Sequence, residues 1–314
     1  MRCYPNRVVL LSDTHYTTDD TTVTPKQESA GNILGYTQLQ RVQFALSDVK
    51  AFAAEKGGLD AVMILGDLST DDCGYRNFST NYVEKFKTDF MDALQNDLSV
   101  PSYALAGNHD CYTSAEWNDI FGYERQYVVT VKGKDGAPDA KFIMLDMFEE
   151  GTVSSATGSA YTGMNQECYE FLKAELEKEF SGPTFLCSHY FRTPFSEDEM
   201  GSEFYNLLNQ HPNVQCLFHG HSHYNDVITS SNIPGKYVVN TGGYAFDPNA
   251  YDGVYNFNRF DVNYAWGYQV LEWSDQWVRI YHVKPARSYV DSSGVTHTIE
   301  ETLIEDKICF SLSK

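Results

Sequence analysis

Five times in this chain a short apolar run breaks off directly into side chains able to bind a metal. Arg7–Leu11 leads into Ser12-Asp13-Thr14-His15, Asp60–Leu65 into Gly66-Asp67, and Ser102–Leu105 into Ala106-Gly107-Asn108-His109-Asp110. Pro183–Cys187 ends at Ser188-His189, and Val214–Phe218 at His219-Gly220-His221-Ser222-His223. Continuous apolar runs bounded by polar turns read as strands buried on both faces of a sheet. In an open α/β sheet the functional site lies outside the carboxyl ends of the strands, so the recurrence predicts parallel neighbours that deliver these residues to one rim.

Each motif alone also has a plain structural reading. Asp13 and His15 could be a turn residue and a surface histidine, and Asn108 an Asx turn. The dense His-Ser-His bracketed by Gly220 favours metal binding, because a turn at glycine can aim both imidazoles into a common space. Together Asp13, Asp67 and Asn108 offer oxygen and His15, His189, His221 and His223 offer nitrogen. That set is too large for one four-coordinate zinc and suits two ions sharing a carboxylate.

The segments between supply scaffold. Leu39, Val42, Leu46, Val49, Phe52 and Ala53 form a helical stripe over Gln38–Lys56, closed by Gly57-Gly58. Tyr82, Phe86, Phe90 and Leu94 mark a second helix, Asn165–Phe180 a third, and Phe204 and Leu208 a fourth, with a helical turn at Glu116–Phe121. Gln126–Val131 and Lys141–Leu145 predict a hairpin around Gly133-Lys-Asp-Gly136, with Asp146 structural. After His223, Tyr237–Asn240, Trp266–Trp273 and Trp277–Val283 read as strands of a second sheet, and Asp291–Gly294 as a hairpin turn. Thr17–Gly35 and Leu68–Thr80 are polar loops, Asp71 and Asp72 being solvated. The aromatic and polar stretch Gly243–Ala265 either flanks a substrate pocket, wraps the core or meets another subunit, and Arg192 pairs either with a substrate phosphate or with Glu197, Asp198 or Glu199.

A formal net charge of −20 over 314 residues argues against a nucleic-acid backbone as partner. Small phosphorylated substrates stay open, since bound cations invert the local field. The seven cysteines lack CxxC pairing, which indicates reduced, packed thiols. With no signal-type apolar segment and no membrane-length run, the expectation is a cytoplasmic protein.

Asp13-Thr-His15, Gly66-Asp67, Gly107-Asn-His-Asp110, His189 and Gly220-His-Ser-His223, in that order, resemble the calcineurin-like metallophosphoesterases over residues 13–223. The resemblance implies an α/β fold, a four-layer α/β/β/α sandwich of two mixed sheets, as a single domain over 1–314 in which 224–314 complete the second sheet. It implies two divalent or trivalent ions (Mn, Fe or Zn), with Asp13, His15, Asp67 and His223 on one and Asp67, Asn108, His189 and His221 on the other. A water activated between them would attack a small phosphoester. His109 would stabilise phosphoryl oxygens or protonate the leaving oxygen, and Asp110 would fix its orientation.

Departures narrow the expectation. The protein phosphatases of the family carry an arginine after Gly-Asp, where this chain has Leu68-Ser-Thr-Asp-Asp72. Thr70 stands where purple acid phosphatases have a tyrosine ligand, and Tyr112 where many bacterial cyclic-nucleotide phosphodiesterases have arginine. A phosphodiesterase acting on a small substrate is the resulting expectation, a phosphomonoesterase the runner-up. A non-catalytic scaffold of the same fold is the third reading, weakened by the filled ligand positions.

Overall fold

The computed structural model describes residues 4–16, 38–69, 82–151, 159–191, 200–222, 225–243, 267–290 and 295–312. Strand β1 (Asn6–Leu11), helix α1 (Gln38–Lys56) and strand β2 (Ala61–Leu65) open the chain, with β1 and β2 paired in parallel. Parallel neighbours need a crossover, and α1 provides it. It stops where the stripe stops, at Gly57 and Gly58 with φ of +80° and +115°. Then follow α2 (Tyr82–Phe86), a π-helical turn (Lys87–Asp92), α3 (Ala93–Leu98) and β3 (Ser102–Leu105), which lies parallel to β2.

The π-helical turn answers a feature of the sequence. Tyr82, Phe86, Phe90 and Leu94 recur every four residues, a spacing that drifts around an α-helix by about 40° per step. The wider turn takes up part of that drift, and all four side chains are buried.

Helix α4 (Ser114–Phe121) begins with a capping box between Thr113 and Glu116. Strands β4 (Tyr127–Val131) and β5 (Ala140–Met144) form the expected hairpin. Helix α5 (Gln166–Leu176) is shorter than its sequence pattern, ending four residues before Phe180. β6 (Thr184–Cys187), α6 (Gly201–Gln210), β7 (Val214–His219), β8 (Asn225–Thr229) and β9 (Tyr237–Thr241) follow. β10 (Tyr268–Trp273), β11 (Trp277–Lys284), β12 (Arg287–Val290), β13 (Thr296–Ile299) and β14 (Thr302–Ser311) end the chain.

One sheet has the order β14-β11-β10-β1-β2-β3 and the other β4-β5-β6-β7-β9-β8; both mix parallel and antiparallel pairs, and β12 pairs with β13. The expectation that residues 224–314 complete the second sheet is corrected here. Among the described residues only β8 and β9 join it, while β10, β11 and β14 return to the first sheet. Val8 to Leu11 of β1 are fully buried, so an open edge beside them would expose apolar faces and unpaired amides; antiparallel β10 closes it.

Alternation along β1 sets the layers. Val9 and Leu11, with Val62, Ile64 and Ala104, face α1 to α4. Val8 and Leu10, with Met63, Leu65 and Leu105, meet Phe142, Met144, Phe185, Cys187, Cys216 and Phe218 of the other sheet. Ile143, Leu186 and Leu217 cover the opposite face with Leu172, Phe204 and Leu208 of α5 and α6. The result is the α/β/β/α sandwich. Among the described residues no helix is long and apolar enough to cross a membrane.

Candidate metal centre

The loops that leave β1, β2, β3, β6 and β7 are hydrogen-bonded to one another. Asp13 N–H donates to the Gly66 carbonyl (3.0 Å), His15 N–H to Asp67 O (3.0 Å) and Gly220 N–H to His189 O (2.9 Å). His109 N–H donates to Asp67 Oδ1 (2.9 Å). Four of these loop residues, Asp13, His15, Asp67 and His221, take positive φ of 52°, 42°, 50° and 70°. Left-handed backbone costs energy for non-glycine residues and clusters where side chains must be aimed.

Two glycines make the approach possible by lacking a side chain. A Cβ on Gly107 would stand 2.2 Å from Asp67 Oδ1, and one on Gly220 would stand 2.4 Å from Ser12 Oγ and 2.6 Å from Asp13 Oδ2.

His189 is fully buried and its Nδ1 lies 2.7 Å from the Leu65 carbonyl. That contact turns Nε2 inward, where the neutral ring offers it as a ligand atom. Nε2 faces Asp67 Oδ2 at 3.2 Å and Asn108 Oδ1 at 3.1 Å, and His221 Nδ1 at 3.3 Å. His221 Nδ1 is itself 3.0 Å from Asn108 Oδ1. These four side-chain atoms, two nitrogens and two oxygens, converge on one point, and each can serve as a metal donor. Donors bound at about 2.1 Å to one ion stand roughly 3 to 3.5 Å apart, so the set fits a metal.

His15 Nε2 lies 3.7 Å from Asp67 Oδ2, and the His15 and His109 rings are 5.1 Å apart. Two groups of ligand atoms result, His15, Asp67 and His109 in one and Asp67, His189 and His221 in the other, each within 4.8 Å of one another. They share Asp67. The Asp13 carboxylate accepts from His221 N–H (3.0 and 3.2 Å) and stands 3.9 Å from His189 Nε2. Of the sequence-derived candidates, Asp13, His15, Asp67, Asn108, His109, His189 and His221 are thus brought together, while His223 lies outside the described residues, as do Arg192 and residues 244–266.

Electrostatics follow from this crowding. Burial opposes charge on Asp67, yet His189, His109 and His15 hold its carboxyl well below the usual range. Burial also opposes a charged His189, but Asp67 and Asp13 outweigh it and push the pKa up to about 9. Asp110 is pushed up to about 7 by burial and by the Asp67 charge.

Asp110 has a different tie from the one expected of it. Its carboxylate accepts from the amides of Gly107 (2.9 Å), Leu68 (3.0 and 3.1 Å) and Ser69 (3.3 Å), fastening the loop after β2 to the loop after β3. His219 stays out of the ligand groups: its Nδ1 lies 3.0 Å from the Gly220 carbonyl, and burial lowers its pKa to about 4. Sequence reasoning missed Ser12 and Thr241. Ser12 Oγ lies 2.5 Å from Asp13 Oδ2, 2.7 Å from Thr241 Oγ1 and 2.7 Å from the Gly242 carbonyl. Thr241 ends β9, so the strand-end rule that found the other residues would have found it too.

The fold has solved counterparts. It is similar to a dimetal phosphatase from Danio rerio (TM-score 0.58, 12% identity, 96% of this chain and 100% of the other). It is similar to PhoD (0.53, 10%, 100% and 72%) and to GAP50, the anchor in the inner membrane complex of Plasmodium (0.51, 14%, 95% and 89%). At these identities the likeness is one of fold. No curated protein sequence matches the chain. The model of the calcineurin-like phosphoesterase family matches residues 6–225, a span that takes in the loops after β1, β2, β3, β6 and β7, and the chain belongs to that family.

Proposed function

We propose that this protein hydrolyses a small phosphodiester with the help of two metal ions. Asp13, His15, Asp67 and His223 would hold one ion and Asp67, Asn108, His189 and His221 the other. The observation that carries the reading is Asp67, whose Oδ2 is approached by the Nε2 atoms of both His15 and His189, at 3.7 and 3.2 Å. When bound, such ions supply Lewis acidity and a water activated at neutral pH, and manganese, iron and zinc all suit mixed nitrogen and oxygen donors.

The remaining work falls to the chain. Asp67 stays anionic, and the Leu65 carbonyl at Nδ1 orients the His189 ring so that Nε2 faces Asp67 and Asn108. His109, partly exposed beside His15, donates to a phosphoryl oxygen or to the leaving oxygen. Asp110 holds the two loops together so that His109 N–H stays on Asp67. Among the described residues, Asp67 and His189 are met by imidazoles, an amide and backbone, with no arginine or lysine on them. Leu68-Ser-Thr-Asp-Asp72 lacks the phosphate-gripping arginine that the family's protein phosphatases carry after Gly-Asp, which supports the diester. Buried thiols at Cys168, Cys187 and Cys216 support a reducing compartment, the cytoplasm.

The test compares kcat/KM for bis-p-nitrophenyl phosphate and p-nitrophenyl phosphate with metal-loaded protein. A higher value on the diester is expected. The reverse order makes the protein a monoesterase, and no turnover with two ions bound makes it a scaffold.

A further inference from the structure

Aromatic rings stand against the second ligand group. Phe148 lies 5.5 Å from His189 and 6.3 Å from His221, and Tyr190 lies 4.7 Å from His221. Tyr161 closes the wall, 5.5 Å from Phe148 and 5.2 Å from Tyr190. Phe148 is buried, whereas Tyr161 and Tyr190 are partly exposed.

The wall is held by backbone. Phe148 and Tyr161 form an antiparallel bridge, flanked by Thr162 N–H to Met147 O (2.8 Å) and Glu149 N–H to Ala160 O (2.9 Å). Asp146 anchors it from below: its Oδ1 accepts from Phe148 N–H (3.3 Å) and from Arg125 Nη2 (3.1 Å). Tyr190 follows His189 directly, so the strand that delivers the imidazole also delivers the ring.

Resting on the phosphoester reading, and deepening it, we propose that Tyr190, backed by Phe148 and Tyr161, is a subsite for a flat aromatic ring carried by the substrate's ester group. An aryl group and a nucleobase share that chemistry. The wall adjoins His189 and His221, and His189 Nε2 in turn meets Asn108 Oδ1 and Asp67 Oδ2. A ring on the wall therefore lies beside the ligand atoms to which a phosphorus would come, joined to it directly through an ester oxygen in an aryl ester or through the sugar in a nucleoside ester. Stacked or edge-to-face rings with centroids about 4.5 to 7 Å apart add roughly three- to tenfold in affinity beyond area burial. The net charge of −20 disfavours a polynucleotide, so a nucleobase would arrive on a single nucleoside ester.

The test measures binding of phenylphosphonate and methylphosphonate to metal-loaded protein by calorimetry, and kcat/KM for the phenyl, methyl and 5′-thymidyl esters of p-nitrophenyl phosphate, which share one leaving group. The phenyl-to-methyl ratio is expected at about tenfold in both measurements, falling towards one in Tyr190→Leu and kept in Tyr190→Phe. A thymidyl ester that matches the phenyl ester identifies a nucleobase as the natural occupant; one that matches the methyl ester identifies a smaller aryl group. Equal binding of the two phosphonates, no binding of either, or a ratio unchanged in Tyr190→Leu overturns the subsite. Turnover of none of the esters, with phosphonate discrimination intact, overturns hydrolysis and leaves the subsite standing.

Discussion

The backbone amide of His221 donates to both carboxylate oxygens of Asp13, at 3.2 and 3.0 Å. Asp13 leaves a strand of the first sheet and His221 a strand of the second, so the ligand loops join the two sheets at their common edge. An ion bound there ties together elements that unfolding would separate.

Metal loading should therefore stabilise the fold. Removal of metal with a chelator is expected to lower Tm by about 5–10 °C, with recovery on adding Mn²⁺, in calorimetric scans. Asp67→Asn should bind fewer than about one ion per chain by elemental analysis and lose at least about a hundredfold in kcat/KM, because both groups share that carboxylate. Two ions retained in Asp67→Asn would remove the shared-ligand reading.

Gly107→Ala should cost about 1–3 kcal/mol in urea unfolding and weaken metal binding, since the new methyl meets Asp67 Oδ1 at 2.2 Å and Asp67 N at 2.4 Å. Gly122 has φ of +78° and open space around it, so Gly122→Ala should cost about 1 kcal/mol and leave the metal content at the native level. Equal metal loss in both variants would show that general destabilisation, not the contact with Asp67, is responsible.

His109→Ala is expected to keep the metal content, to lower kcat/KM on alkyl phosphoesters by about 10²-fold or more and to spare p-nitrophenyl esters, whose leaving group needs no proton. Its ring stands with His15 and Asp67 in one ligand group, so metal analysis accompanies the kinetics. Equal losses on both ester types would assign His109 to phosphate binding or to the metal instead of to proton donation.

Lys236 gives a dependence on pH that is remote from the centre. Its ammonium donates to the Val214 and His211 carbonyls at 2.7 and 3.0 Å, and burial lowers its pKa to about 8. Between that value and the ordinary lysine range the unfolded chain binds more protons than the folded one, so this group makes stability rise with pH through that window and contributes no slope below it. Stability of native protein relative to Lys236→Met, from urea unfolding at pH 7.5 and pH 10, should shift towards the native protein by on the order of 1 kcal/mol at the higher pH. A shift of the opposite sign would mean that the two carbonyls hold the ammonium more firmly than burial opposes it.

Much of this protein is legible in its sequence because local rules suffice. Continuous apolar runs give β1, β2, β3, β6 and β7, and a helical stripe gives α1 with its end at Gly57. The polar residue after each run gives the candidate ligands. What periodicity carries is the type of each element, since burial repeats with the geometry of the element itself.

Partners between distant segments are another matter. The sequence marks 268–273 and 277–284 as strands, but their return to β1 depends on which apolar edge is left to cover, a property of the assembled sheet. Nothing in the order of residues places Asp110 on three backbone amides, Ser12 against Thr241, or Tyr190 and Phe148 around His221. By itself the sequence determined which side chains could bind cations and that strands would carry them to a rim. Only the tertiary structure decided that Asp67 stands between the two groups and that aromatic rings wall one of them, because those relations are distances between loops that share no local pattern.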